Sequence, residues 1–466
     1  MSLNRRQLFK YSAVLLSSHC LPVQAGTPTA KTLPIPPLVE VAKGRPILMS
    51  LQDVMWSSQS GITAVSYGFN GRYLGPTIRV KQHESLKISF TNYLHESAAV
   101  TFQGVLLQSP LLNNPLRLMQ SKSSWSPLLP IRQNAATGWY TCNTDGLMTK
   151  QRYHGLIGLC QIEDTVPSAK LLPHRYGIDD IPVILQDKSE KGLNYYDSLP
   201  VSDEGFLGSV LVTNGVYEPV INVEKSWIRL RILNASNARR YALTLSNGQP
   251  FYFIASDLGL LNKPIELSEL AIAPGERKEI LIDMTQHDEV ALITGDSKDF
   301  STRLKELFEP STRLSQTNVL TLKSMGTPPL IQSELPEQLI LSEVDYSAVT
   351  SRKIHLSKEG SINGVSGKEP HIAFSAKLNT QEQWIVSVDA PQSLYIQGVE
   401  FLVVSRDGQA PRWDDSGYKD TVWIDKEVEL LVRYVRPTGY DIPFSFSSQN
   451  TTYAQRGAIG YFIVNS

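Results

Sequence analysis

The sequence predicts an all-β protein of sandwiches or Greek-key barrels. Three observations carry that expectation: short runs of alternating polarity along the whole chain, Asn-Gly and Asp-Gly turns between them, and a scarcity of helical periodicity. Alternation with period two sends successive side chains to opposite faces of a strand. Residues 227–233 therefore sort Arg229 and Arg231 to one face and Ile228, Leu230 and Ile232 to the other. Such a strand is expected to cover a core on one side only, and residues 428–434 read as another strand. The pairs Asn70-Gly71, Asn214-Gly215, Asn363-Gly364 and Asp407-Gly408 supply the positive φ angles that tight strand reversals need. One helix is expected over 301–308, where Leu304, Leu307 and Phe308 share a face before Pro310 stops the pattern.

At 466 residues the chain exceeds what one hydrophobic core supports. Proline-rich stretches mark the joints: 27–37 opens the body, 165–180 carries Pro167 and Pro173, and 326–336 holds three prolines. The expected layout is a leader over 1–25, a first domain over 26–164, a linker over 165–180, a second domain over 181–325, a linker over 326–336 and a third domain over 337–466. Lysine plus arginine number 44 against 45 acidic residues, a balance with no global field to attract nucleic acid or anionic lipid.

The leader has a basic start, an apolar stretch over 11–21 and a small-residue cleavage site at Val23-Gln24-Ala25. Arg5 and Arg6, followed by Gln7, Leu8, Phe9 and Lys10, resemble the twin-arginine motif, which implies export by the twin-arginine translocase as folded cargo. The expected address is the periplasm, with no stable membrane span, because the apolar stretch is too short for a bilayer core of about 30 Å. Cys20 falls in the leader. Cys142 and Cys160 remain, either as one disulfide or as two buried thiols.

The segments 69–80 (FNGRYLGPTIRV), 135–164, 212–241 and 272–284, then 394–398, 419–425 and 457–464, together resemble the multicopper-oxidase family in its own order. The resemblance spans almost all of the mature chain and implies three cupredoxin-like Greek-key β-sandwich domains. More narrowly, the twin-arginine leader with 34–40 (PIPPLVE), 129–140, 307–311 and 419–425 resembles a copper-free branch of that family working in bacterial cell division. That branch implies a non-enzymatic role in stabilising or protecting divisome assembly at the septum, especially under stress, with periplasmic division proteins as partners.

A multicopper oxidase needs imidazoles and a thiolate for its coppers. The resemblance places its first His-x-His pair on Thr101 and Gln103, and its second on Thr141 and Asn143 with Cys142 facing the other way. The third pair falls on Tyr395 and Gln397, and the His-Cys-His run on Ser447, Ser448 and Gln449. A later histidine and the axial ligand fall on Tyr453 and about Ala458. Seven histidines lie beyond the leader, no two within four residues, where a full copper set takes about ten. No cofactor, metal or catalytic residue is therefore expected. Nucleophile-elbow, phosphate-loop and dinucleotide motifs are also missing from the sequence.

Other residues invite functional readings. His154 is expected to be a hydrogen-bonded strand histidine, and Asp179-Asp180 solvated linker acids. Arg239-Arg240 either contact an acidic partner or lie along a sandwich edge. Tyr195-Tyr196 and Trp413 are candidate interface aromatics. Two alternatives to the division role stand beside it: an oxidoreductase with unorthodox copper ligands, and a periplasmic chaperone or glycan-binding module.

Overall fold

The computed structural model of the chain describes residues 31–42, 44–57, 63–109, 118–163, 171–189, 205–295, 316–326, 335–340, 347, 350–368, 371–438 and 442–466. The leader with Arg5 and Arg6, the helix expected over 301–308, and Tyr195-Tyr196 lie outside the described residues.

Strands dominate, as the alternation requires, and among the described residues they form six sheets whose members fall in three consecutive blocks of sequence. The first block pairs a sheet ordered 38–40, 77–81, 157–163, 136–142, 100–103 with a sheet built on 47–57, 63–69 and 85–92. Met49, Leu51, Phe69 and Phe90 from one sheet meet Ile78, Phe102, Tyr140 and Cys160 from the other in a common core. The second block closes over Ile181, Leu230, Ile232 and Phe253 against Leu243, Leu292 and Leu320. The third holds Trp384, Leu430 and Val432 against Phe446 and Phe462, and its core is continuous with that of the first. The protein is thus a set of all-β sandwich domains. All four Asn-Gly and Asp-Gly pairs adopt positive φ at both residues, for example 52° and 74° at Asn70 and Gly71.

Three local expectations are overturned, each for the same reason: tertiary packing buries the charge against a partner. The strand Trp227–Asn234 is covered on both faces, not one. Its arginine face abuts the first sandwich, where Arg231 grips Asp180 (2.7 and 3.0 Å) and donates to Thr137 Oγ1 at 2.8 Å. Arg229 donates to Glu279, which also accepts from Thr137 Oγ1 at 2.6 Å. Burial alone would raise the Glu279 carboxyl, but Arg229 and Arg231 outweigh it and hold it at about 2. Asp179 and Asp180 are not solvated linker acids. They are 8% and 1% exposed, Asp179 is held by Arg175, and Asp180 opens the strand Asp180–Lys188. Arg239 is buried on Asp187 at 3.1 Å, and Arg240 lies half-buried against the Trp423 ring, so neither forms an exposed double-arginine patch.

The first residues also depart from the expected layout. Thr32 bridges Val220 of the second block, and Leu33 packs in that block's core before Leu38–Glu40 joins the first. Among the described residues are two short helices that periodicity did not reveal, α1 (Met148–His154) and α2 (Thr451–Arg456), each under two turns and packed on one another. Among the described residues no helix is long and apolar enough to cross a membrane.

The sandwiches meet on Arg277, whose side chain is fully buried. Its two terminal nitrogens clasp the Asp420 carboxylate of the third sandwich at 2.7 and 2.9 Å, and its Nε donates to the Thr137 carbonyl of the first at 3.2 Å. Asp420 also accepts from the Gly104 amide at 2.8 Å. A Cβ on Gly104 would stand 2.7 Å from the Arg277 Nη2, and its φ of +77° disfavours other residues besides. Lys419 sits alongside, paired with Asp257 at 3.2 Å and Glu276 at 3.1 Å.

Removing one partner of a buried ion pair strands the other, a loss of roughly 3–5 kcal/mol. Arg277→Met is expected to lower the thermal unfolding midpoint of the whole chain by several degrees, and Arg277→Lys to recover only part, since lysine lacks the bidentate fork. Scanning calorimetry showing an unchanged midpoint for Arg277→Met would remove this residue from its central place.

Candidate metal centre

Backbone register decides where the family's ligand positions go. Strands 100–103 and 136–142 pair antiparallel, with Thr101 opposite Thr141 and Gln103 opposite Trp139. Phe102, Tyr140 and Cys142 enter the first core, so period two turns Thr101, Gln103, Trp139 and Thr141 away from it. In the third sandwich Tyr395 lies opposite Ser447, and Leu394 opposite Ser448. Eight of the nine positions are buried, and Asn143 is half-buried.

Several of these side chains are engaged in hydrogen bonds within the protein. Gln397 Oε1 accepts from the Ser445 amide at 3.1 Å, and Ser448 Oγ accepts from the Asn450 amide at 3.1 Å. Gln449 Oε1 accepts from Arg152 Nη2 at 3.3 Å. Gln103 Oε1 and Thr141 Oγ1 are buried with no protein partner.

Arg152 is the residue that sequence reading missed. It projects from α1, is 1% exposed, and lies with its guanidinium 5.2 Å from the Trp139 ring centroid. Burial draws its pKa down to about 10, and among the described residues no carboxylate pairs with it. α1 is tied to α2 through Thr149 Oγ1 and Gln455 Oε1 at 2.6 Å. Asn237 of the second sandwich joins both, donating to the Thr149 carbonyl at 3.3 Å and accepting from the Thr451 amide at 3.0 Å.

Copper calls for neutral imidazole and thiolate lone pairs. The donors here are hydroxyls, amides and a phenol, and the Arg152 cation is hydrogen-bonded to Gln449, one of the ligand positions. No group of three or more His, Cys, Asp or Glu able to hold a metal ion occurs among the described residues. The residues present do not fit a copper centre.

The remaining reactive side chains are equally enclosed. His154 is the last residue of α1 rather than a strand residue, and its ring lies 4.9 Å from that of Tyr67. Burial, then Lys188 and Lys150, pull its pKa to about 3, leaving the imidazole neutral at physiological pH. Cys142 and Cys160 are both free and buried. Register sets Cys160 against Gly138, four residues along from Cys142, so the two are separated by roughly 13 Å of strand. A disulfide requires Cα atoms within about 7 Å, which decides for two thiols. Burial pushes the Cys160 thiol up to about 12. Trp413, by contrast, is 71% exposed.

Lys188 is fully buried, donates to the Tyr153 carbonyl, and lies 4.2 Å from the Tyr153 ring centroid and 5.6 Å from that of Tyr73. Burial pulls its pKa to about 7, against a raising influence of Asp187. Between about pH 7 and 10.5 the unfolded chain binds the proton that the folded chain has released, so stability rises with pH across that window. Lys188→Met is expected to flatten this rise. Denaturant midpoints measured from pH 7 to 10 that keep the wild-type slope in the variant would assign the rise elsewhere.

Comparison with known proteins bears on the same architecture. Two family models described as multicopper oxidase match residues 50–166 and 336–466. Over 467 residues the chain is 42% identical to cell division protein FtsP of Salmonella typhimurium, covering 100% of this chain and 99% of that one. The FtsP of Escherichia coli K12 is 41% identical over the same shares, and that of Edwardsiella tarda 44%. Among solved structures, the laccase-like multicopper oxidase CueO of Ochrobactrum sp. superposes with a TM-score of 0.83 at 28% identity, covering 93% of this chain and 100% of that one. McoA of Aquifex aeolicus gives 0.82 at 23% identity over 94% and 100%, a likeness of fold. Full-length identity on this scale, carried on oxidase-type sandwiches, places the chain in the FtsP family of multicopper-oxidase-like proteins.

Proposed function

We propose that this chain is a periplasmic cell-division protein that acts by binding and not by catalysis, stabilising divisome assembly at the septum, especially under stress. The observation that carries the reading is that Thr101, Gln103, Thr141, Asn143, Tyr395, Gln397, Ser447, Ser448 and Gln449 stand where the family resemblance expects imidazole and thiolate, with the Arg152 guanidinium held against Gln449. A buried cation there raises the cost of admitting copper ions. The relatives that match over their full length are named for cell division, which supports the biological setting. In this reading the twin-arginine leader delivers the folded chain through its translocase, and the rigid sandwiches present a surface to periplasmic division proteins.

Two measurements test it. After anaerobic copper reconstitution, the purified mature chain is expected to retain well under one copper per molecule and to show no phenol-oxidase turnover; stoichiometric copper with turnover would establish the oxidoreductase reading. A functional fluorescent fusion is expected to concentrate at the septum of dividing, stressed cells. Uniform periplasmic fluorescence under those conditions would end the septal role and favour a general chaperone or glycan-binding module.

A further inference from the structure

The Trp413 turn and the cleft beside it lie where the second and third sandwiches meet the surface. Trp413–Asp415 is a single 3-10 turn, an element too short to hold its shape alone, yet four residues fix it. Arg406 clasps the Asp415 carboxylate with two bonds of 2.6 Å. Asp414 accepts from the Ala271 amide at 3.2 Å and from Arg412 Nε at 3.1 Å, and its carbonyl accepts from Lys278 Nζ at 2.7 Å. Asp414 and Asp415 are buried, and the supports come from both the second and third sandwiches. This network holds in place a tryptophan that is 71% exposed. Burying several charges to fix one solvent-facing indole contributes nothing to the indole's own packing. What it supplies is a preorganised aromatic anchor, the residue type that dominates binding energy at protein interfaces.

Next to the indole lies a cleft of about 330 Å³. It is lined by Leu260, Leu261 and Ile265 of the edge strand Gly259–Leu267, by Ile340, and by Leu402 and Pro411. Strand addition at this edge is blocked: Leu339 already donates to the Asn262 carbonyl at 2.9 Å, and Pro264 has no amide hydrogen to offer. The cleft therefore receives side chains. Its exposed charge is one-sided. Asp415 is spent on Arg406 and Asp414 engages Arg412 through Nε, whereas Lys263 is exposed with no acidic partner among the described residues, and the Arg412 side chain remains 42% exposed.

We propose that this surface docks an extended segment of a partner protein carrying an apolar side chain flanked by acidic residues. The apolar side chain enters the cleft against Trp413, and the acids meet Lys263 and Arg412. The inference rests on the reading of the chain as a binding protein and deepens it by naming the chemistry of the partner.

The test places a benzophenone amino acid at position 413 of the full-length chain in dividing cells, with the exposed Glu359 position as control. Crosslinked peptides are then sequenced by mass spectrometry. An adduct specific to position 413 whose attached segment is apolar and flanked by acids is the expected result. A basic or uncharged segment, a lipid, a glycan, a second copy of this chain, or no adduct above the control would overturn it. A synthetic peptide of the mapped segment is then titrated against the purified mature chain by fluorescence anisotropy. Trp413→Ala is expected to weaken binding about tenfold or more with an unchanged unfolding midpoint, and Lys263→Glu to weaken it and reduce its salt dependence. Retained affinity in both variants overturns the docking site. If Trp413→Ala abolishes binding while cells still divide normally under stress, the docking site stands and the division role falls; copper content, measured separately, judges the absence of catalysis.

Discussion

Arg277 sets the terms on which the three sandwiches meet. A guanidinium with no exposure to water carries a desolvation cost that only close, multiple partners offset, and those partners are drawn from all three sandwiches: the Thr137 carbonyl, Asp257 and Asp420. The constraint spreads outward from there. Asp420 must also receive the Gly104 amide, so position 104 tolerates no side chain. Lys419 must answer Asp257 and Glu276, and Glu279 must answer Arg229 and Arg231. The contacts between sandwiches are therefore a wired set of charges as well as an apolar seam, and that makes them directional. An apolar seam permits sliding; a fork on a carboxylate fixes one orientation.

The same economy explains what the sequence could and could not tell. Period-two alternation and Asn-Gly turns reflect local backbone chemistry, and all four turn pairs have the positive φ they imply. Partner choice across domains is not local. Arg229 and Arg231 look like the solvent face of an amphipathic strand until Asp180, Thr137 and Glu279 are brought against them by tertiary packing. Asp179-Asp180 look like loop acids for the same reason. The helices α1 and α2 are too short to leave a 3.6-residue signature, and so Arg152, the most consequential residue at the old ligand positions, carried no signal beyond its position after the second pair. Trp413 was legible as an aromatic beside turn-forming residues; the salt bridges that hold it still were not.

Where the family resemblance places metal ligands, the junction between the first and third sandwiches is held by side chains of another chemistry. Metal ligands would tie those two units through coordination bonds. Here Arg152 to Gln449, Thr149 to Gln455 and the Gly104 amide to Asp420 tie the same units through hydrogen bonds. Directional hydrogen bonds of this kind fix how the two sandwiches are oriented, and with them the placement of surface features such as the Trp413 turn.

These ties also span great distances along the chain. Leu33 waits for Val220, Gly104 for Asp420, and α1 for α2, which ends ten residues before the C-terminus. Contacts of such sequence separation form late, because loop closure must come first. A nascent chain therefore holds Arg152 and its half of the junction open until Gln449 and α2 have been synthesised. α2 acts as a clasp, and a product stalled before it leaves Arg152 without Gln449 and Thr149 without Gln455.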